Sequence, residues 1–246
     1  MLRYPISTLL YLAKINIKDK IQDALKLHNN IDVKLTITIK DKDGKIIKQH
    51  KQRSHSFVSN FLTMLANLML NTNGEYNNYY YFVATTGQWW SYDGAYTIVN
   101  NTLNILDVAN DSTYGIVVGT GTTPPTPKDY ILGNQIVNGT GNGQLVYGAH
   151  SVTPASGTSG IQAGTSQPST GVLTPSGNTT SFQISRTFTN QSGASITVSE
   201  VGIIAKVIGE GDNTITVLII HDLLSSAITI PNGGVMGITY TISVTT

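Results

Sequence analysis

The chain of 246 residues is long enough for one large β domain or two smaller ones, and its 40% apolar content can fill a core. Charged residues make up only 12%, about half the usual share of roughly a quarter, so little net charge keeps copies apart. The absence of cysteine excludes disulfides, thiolate zinc sites and a cysteine nucleophile. No apolar run reaches the ~18 residues of a membrane span, and we expect no transmembrane span and no conventional signal peptide.

The net charge of +1 conceals an asymmetry along the chain. Residues 1–60 contain twelve bases and five acids, whereas the remaining residues contain three bases and nine acids. Opposite charges on two parts of a chain indicate attraction between them, attraction between neighbouring copies, or contact of the basic part with an anionic partner.

Residues 1–73 predict a basic N-terminal segment with the order helix, hairpin, helix. Apolar residues at spacings of three and four predict a helix within the first thirty residues. The alternation in VKLTITIK predicts a strand at residues 33–40, the Asp-Gly pair of DKDG predicts a turn, and KIIKQHKQ follows as the partner strand. SFVSNFLTMLANLML predicts a second helix with an apolar stripe, for which Ser54 or Ser56 is the expected N-cap.

Residues 74–246 predict a mainly β domain, because short segments of strand character alternate with turns rich in Gly, Asn and Pro. The predicted strands are residues 79–86, 96–106, 114–118, 130–137, 144–152, 181–189, 195–207, 214–221 and 235–244. We expect a β-sandwich, with the jelly-roll as a candidate topology. The segment 151–181, rich in Ser, Thr, Gly and Pro, predicts a flexible or extended arm. We also expect the last strand to leave an edge that a neighbour can cover.

No pattern of residues predicts catalysis, a metal site or a cofactor. The five histidines lack metal-ligand spacing, and the prolines after the GxG of GTGTTPP exclude a phosphate-binding helix. His221 and Asp222 point to opposite faces of a strand, and strand-end polarity explains them better than an acid–base pair. For Glu200, an ion pair with Arg186 or Lys206 is a better explanation than a catalytic acid. We therefore predict that the protein is not an enzyme.

Aromatic residues are concentrated in residues 77–96, which hold eight of the chain's 19 aromatic side chains. Protein interfaces are enriched in Tyr and Trp, and exposed rings flanked by polar side chains also suit sugar binding. We predict a subunit interface, with core packing and a glycan site as the alternatives. The candidate residues are Tyr79, Tyr80, Tyr81, Trp89, Trp90, Tyr92 and Tyr96.

The basic hairpin provides a second candidate site. Contact with phosphates requires Lys and Arg on one face, and Lys45, Lys48, Lys51 and Arg53 come close to that arrangement. A solvated hairpin is the simpler explanation, and contact of these residues with nucleic acid or another anion is the alternative.

Three stretches carry a resemblance: GIVVGTGTTPPTPKDYILGNQI at 115–136, ISRTFTNQSGASITVSEVGIIAKV at 184–207, and LIIHDLLSSAITIPNGGVMGITYTISV at 218–244. Their order resembles a β-sandwich module of structural proteins of tailed phages and of viruses of hyperthermophilic archaea. DKDGKIIKQHKQRSHSFVSNFLTML resembles the opening of such proteins, in which a charged hairpin precedes a helix.

The resemblance implies a virion structural protein: a tail, nozzle, vertex or adaptor component that forms homo-oligomers and contacts other virion proteins without a cofactor. It offers no active-site residues. The alternatives are a receptor- or glycan-binding surface protein and a DNA-contacting plug or adaptor.

Overall fold

The computed structural model describes residues 31–54, 56–69, 82–90, 103–105, 108–154, 179–208 and 214–245. The described strands are β1 (Ile31–Lys40), β2 (Ile46–Arg53), β3 (Phe82–Val83), β4 (Trp89–Trp90), β5 (Leu103–Asn104), β6 (Gly115–Gly119), β7 (Val146–Pro154), β8 (Thr179–Thr189), β9 (Ile196–Ile208), β10 (Thr214–Ile230) and β11 (Val235–Thr245), and helix α1 spans Ser59–Met69. The helix predicted within the first thirty residues and most of the predicted arm at 151–181 lie outside the described residues.

The strands form antiparallel sheets. A five-stranded sheet has the order β2-β1-β11-β8-β7. In a second sheet β10 pairs with one edge of β9, and β5 and β6 pair with the other edge. β3 and β4 form a short ribbon of their own. The prediction of a mainly β fold is therefore confirmed.

Alternation of side chains positions the five-stranded sheet on the core. In β1 every second residue is buried, and the residues between them are polar: the buried residues are Val33, Leu35, Ile37 and Ile39. β11 repeats the pattern with Met236, Ile238 and Tyr240. Because side chains of a strand point alternately to the two faces, this pattern buries one face and leaves outside a face of Thr, Ser, Gly and Lys.

Polar contacts connect the two large sheets across a shared core. The Tyr240 hydroxyl of β11 donates to Oδ2 of Asp222 on β10 at 2.9 Å. The Gln52 amide of β2 donates to the carbonyl oxygen of Leu223 at 3.1 Å. A single cluster of buried apolar side chains includes residues of both sheets.

The predicted strand at 130–137 is wrong. These residues form a loop that meets β6 through an isolated bridge between Gly119 and Gln135. The N–H groups of Gly133 and Asn134 donate to the carboxylate of Glu200. Because a backbone N–H that bonds a side chain is not available to a neighbouring strand, the segment does not continue the ladder.

The last strand is not at an edge, contrary to the expectation from sequence. β11 pairs with β1 on one side and with β8 on the other. The edges of this sheet are β2 and β7. β1 and β2, which precede residue 73, belong to the same sheet as β11, β8 and β7.

Helix α1 begins later than predicted. Its first residue is Ser59, and neither Ser54 nor Ser56 caps it. Phe57 instead forms an antiparallel bridge with Ile220 of β10, so the chain runs along that strand before it turns into the helix. Val58 donates its N–H to the carbonyl oxygen of Ile219 at 3.2 Å, and the carbonyl oxygen of Ser56 accepts from the N–H of His221 at 3.0 Å, so β10 takes the polar backbone groups of this segment.

Candidate interaction surfaces and a buried ionisable cluster

Trp89 is the predicted interface residue whose side chain the structure describes, and it is 73% exposed. It lies on β4, and its backbone pairs with that of Val83 on β3. The neighbouring pair joins the backbones of Trp90 and Phe82, and the Phe82 side chain is buried. The ribbon therefore has one aromatic side chain in the core and another in solvent. The predicted residues Tyr79, Tyr80, Tyr81, Tyr92 and Tyr96 lie outside the described residues.

Hydrogen bonds fasten this ribbon to the body of the protein. The side-chain amide of Asn60 on α1 donates to the carbonyl oxygen of Val83 at 2.9 Å and accepts from its N–H at 2.9 Å. Thr85 donates its N–H to the carbonyl oxygen of Thr216 on β10 at 2.8 Å. The turn between β3 and β4 has Gly87 at φ 80°, which a residue with a side chain rarely adopts. Trp89 is thus presented from a fixed position.

The basic residues of β2 lie on two different faces. Lys51 is opposite Thr36, on the outer face of the sheet, whereas Lys48 is opposite Ile39, whose side chain is buried in the core. Arg53 is two residues from Lys51 and shares the outer face. The candidate residues therefore do not form the single-faced cluster that contact with a phosphate backbone would use.

The carboxylate of Asp32 neutralises part of the positive charge on this hairpin. Asp32 lies 3.2 Å from Nζ of Lys34 and 3.3 Å from Nε of Arg53. Lys45 is in the turn, where its N–H donates to Oδ1 of Asp41 at 2.9 Å. Of the four candidates, only the side chain of Arg53 has a carboxylate partner among the described residues, because the bond of Lys45 comes from its backbone N–H.

A buried cluster of three ionisable side chains joins segments that are far apart in the sequence. Nδ1 of His221 on β10 lies 2.7 Å from Oδ2 of Asp129, and its Nε2 lies 2.9 Å from Oε2 of Glu200 on β9. The side chains of His221 and Glu200 are 4% and 1% exposed. The predicted pairing of Glu200 with Arg186 or Lys206 is therefore wrong, and so is the assignment of His221 to a polar strand end.

The register of β9 and β10 explains how this cluster forms. His221 is opposite Gly202, and Glu200 is two residues further along β9, on the same face as Gly202. The absence of a side chain at Gly202 leaves room for the loop at 119–135 to cover this face. A Cβ atom at Gly121 would lie 2.5 Å from Oε1 of Glu200, so only glycine allows this close approach.

Three backbone N–H groups of that loop complete the coordination of the Glu200 carboxylate. Gly121 and Asn134 donate to Oε1 at 2.8 Å each, and Gly133 donates to Oε2 at 2.9 Å. Burial alone would raise the pKa of Glu200, but the bond from His221 and these backbone bonds outweigh burial and lower the pKa to about 2.

The other two members of the cluster are shifted in the directions that favour charge. Burial would lower the pKa of His221, yet its bonds to Glu200 and Asp129 outweigh burial and raise it. Burial would raise the pKa of Asp129, but hydrogen bonds from Thr126 and His221 lower it. An imidazolium between two carboxylates is therefore the favoured state. Because both ring nitrogens are engaged, neither can take a proton from a substrate in this arrangement, and the cluster fastens the loop to the sheet.

Arg186 of β8 forms a second buried polar centre. Its guanidinium donates to five backbone carbonyl oxygens, those of Val108, Asp111, Tyr114, Ile116 and Gly148. The guanidinium also lies 4.7 Å from the centre of the Tyr147 ring. These bonds hold β6, β7 and the loop before β6 together, so the side chain serves the fold.

Sequence reasoning missed both centres because their partners are loop residues without a motif. Asp129 is separated from His221 by 92 residues, and strands β7 and β8 lie between Asp129 and Glu200 in the sequence. One signal was available: Glu200 interrupts an apolar strand, and His221 and Asp222 interrupt another. Charged residues are almost never fully buried unless they are paired, so these positions pointed to partners in the core.

No family model matches this chain, and neither a curated protein nor a solved structure matches it. Within the described ranges, no helix is long and apolar enough to cross a membrane. The part of the chain that the structure describes also contains no group of His, Asp and Glu side chains that could hold a metal ion.

Proposed function

We propose that the protein is a virion structural protein that assembles with copies of itself and contacts other particle proteins, as a component of a tail, nozzle, vertex or adaptor. The observation that carries this proposal is the exposed Trp89 on a fastened ribbon. When a partner buries an exposed indole, the free energy of the complex falls. Because this indole is presented from a fixed position, little conformational entropy is lost on binding. Tryptophan is also enriched among the residues that dominate binding energy at interfaces.

The arrangement of the sheets supports a β-sandwich as the finer description of the fold. Tyr240 and Asp222 bond across the space between the five-stranded sheet and β10, and apolar residues of both sheets share one core. We propose a jelly-roll as its topology. Such sandwiches present loops and sheet edges to neighbours, which suits a building block of a particle.

The buried ionisable groups are consistent with this function. His221, Glu200 and Arg186 bond to other side chains or to the backbone, and they act between segments of the fold. The chain's low charge also limits repulsion between copies. A location in the virion follows from this proposal.

A receptor- or glycan-binding surface protein is the second candidate. The outer face of the five-stranded sheet has a shallow groove of about 410 Å³, and its lining combines Thr and Ser hydroxyl groups with Lys40 and with apolar residues such as Ala149 and Val235. The hydroxyl groups of this groove and the exposed ring of Trp89 are two separate features that suit a sugar. In this candidate function Trp89 contacts a ligand, and assembly does not depend on it.

The Trp89→Ala variant distinguishes the two candidates. Self-assembly predicts that the dissociation constant of the oligomer, measured by sedimentation velocity over a dilution series, rises at least about tenfold. Val137→Ala, which truncates an exposed apolar side chain in the loop before β7, is the matched control and is expected to leave this constant unchanged. If both variants assemble like the parent chain and only Trp89→Ala loses binding on a glycan array, the glycan-binding function replaces the structural one.

A further inference from the structure

Strand β2 is an edge strand that has a partner on one side only among the described residues. Seven of its eight residues pair with β1, and no described residue pairs with its other edge. Ile46 and Ile47 at its start are 57% and 50% exposed. The register with β1 shifts between Ile39 and Lys40, so Ile47 is an extra residue without a partner in β1, and Ile46 and Ile47 form an exposed apolar pair at the start of this edge.

The packing of β1 in the core and a hydrogen bond to β10 hold the open edge of β2 in a fixed position. The inward residues of β1 are almost completely inaccessible: Leu35, Ile37 and Ile39. The Gln52 amide of β2 bonds Leu223 of β10, so the strand is also tied to the opposite sheet. A preorganised edge reduces the entropy cost of pairing with an added strand.

The charge of β2 restricts what can pair with it. Residues 45–53 contain four bases and no acid: Lys45, Lys48, Lys51 and Arg53. Lysines on an edge oppose pairing with a strand of like charge. Two copies of β2 placed side by side would bring these bases together, and like charges across a strand pair are destabilising. Symmetric pairing of β2 with β2 is therefore disfavoured.

A second copy of the chain has a complementary charge elsewhere. Residues after position 60 carry nine acids and three bases, and if Asp129, Glu200, Asp222 and Arg186, which bond inside the fold, are left out, six acids and two bases remain. We infer that β2 of one copy accepts an extended segment from a different part of a second copy, which adds as a further strand to the five-stranded sheet. The inference rests on the proposed self-assembly and specifies one contact that produces it.

Nucleic acid fits this edge less well than a strand does. Lys48 and Lys51 lie on opposite faces of the sheet, and Arg53 is already close to Asp32. A phosphate backbone would use bases on one face, whereas an added strand lies in the plane of the sheet and has neighbours on both faces.

The inferred contact joins two different surfaces of two copies. Such contacts lead to a ring, or to a filament if the rotation does not close.

Hydrogen–deuterium exchange of the full chain tests the strand addition. Amides of residues 46–53 are compared in the assembled protein and in protein dissociated by dilution. We expect those that face the open edge to exchange at least about tenfold more slowly in the assembly, because each gains a hydrogen bond from the added strand. Amides in the core of β11, which are paired on both sides in either state, serve as the internal control.

Charge reversal gives an independent measurement. The double variant Lys48→Glu, Lys51→Glu is expected to raise the dissociation constant at least about tenfold at low salt, and added salt should reduce the difference between variant and parent. The control is Lys40→Glu, Lys42→Glu, which reverses the same number of charges on this hairpin outside β2. Circular dichroism shows whether each variant keeps its strands.

The outcomes separate this inference from the proposed function. A parent chain that never assembles overturns both. An assembly in which residues 46–53 exchange as fast as in the monomer overturns the strand addition alone. Slow exchange that arises only after a DNA duplex is added assigns β2 to nucleic acid and likewise overturns it.

Discussion

Nε2 of His221 lies 2.9 Å from Oε2 of Glu200, and the two side chains are almost completely buried between β9, β10 and the loop at 119–135. The other ring nitrogen of His221 bonds Asp129, in the middle part of the same loop. The imidazole therefore fastens the middle of this proline-rich loop to the sheet, and the Glu200 carboxylate that it bonds accepts from Gly121 near one end and from Gly133 and Asn134 near the other.

Removal of this imidazole should destabilise the fold. We expect His221→Ala to lower the free energy of unfolding by about 3 kcal/mol, because it leaves a buried carboxylate without its charged partner. Urea denaturation measures the difference. His50→Ala is the control, since the His50 ring bonds Gln52 at a partly exposed site. Equal losses in the two variants would contradict the role assigned to His221.

The stability of the protein should fall both when the pH is lowered and when it is raised. The pKa of Glu200 is about 2 in the fold against an ordinary value of 4.5, so its stabilisation is complete above pH 4.5 and is lost as pH falls toward 2. The pKa of His221 is raised above 6.5, so its stabilisation is complete below pH 6.5 and is lost as pH rises through the raised value. These two groups therefore favour greatest stability between about pH 4.5 and 6.5.

Urea denaturation below, within and above this window checks the prediction. His221→Ala should lose the alkaline part of the dependence that belongs to this residue. A variant whose stability falls on the alkaline side as steeply as that of the parent chain would show that another group is responsible.

Arg186 should not be replaceable by lysine. We expect Arg186→Lys to lower the free energy of unfolding by about 3 kcal/mol or more, because an ammonium group has three donors and cannot reach five carbonyl oxygens from one position. Thermal and urea unfolding measure the loss. Arg53→Lys, at an exposed site, should change stability by less than about 0.5 kcal/mol. A stable Arg186→Lys variant would mean that water can replace these bonds.

The bond between the two large sheets gives a further prediction. Tyr240→Phe keeps the ring but removes the donor to Asp222, and we expect a loss of about 2 kcal/mol because a buried carboxylate then lacks one hydrogen bond. Tyr130→Phe removes a hydroxyl from a partly exposed ring and should have little effect. Equilibrium unfolding of both variants provides the comparison, and similar stabilities would contradict the importance of the bond between the sheets.

The sequence was informative where local patterns decide the structure. Alternation of apolar and polar residues located β1, β8, β9 and β11 to within a few residues, and the Asp-Gly pair located the turn at Gly44, which has φ 81°. Strand β3 lies within the predicted strand at 79–86, and the side chain of Phe82 in it is buried.

The sequence was misleading where contacts with distant residues determine the local structure. Residues 130–137 have strand-like composition, but Glu200 takes their N–H groups. The pairing of β11 on both sides follows from long-range contact with β1, which no local pattern contains. The charged residues in β9 and β10 could be noticed in the sequence, yet their partner Asp129 could not, because the loop that carries it has no regular period.

Light scattering of the purified full chain tests self-assembly most directly. We predict a molar mass that is a multiple of 26.4 kDa, that falls on dilution, and that falls further for Trp89→Ala. A mass of one chain at every concentration, with Trp89 still exposed to a soluble fluorescence quencher, would contradict a role as a self-assembling structural protein.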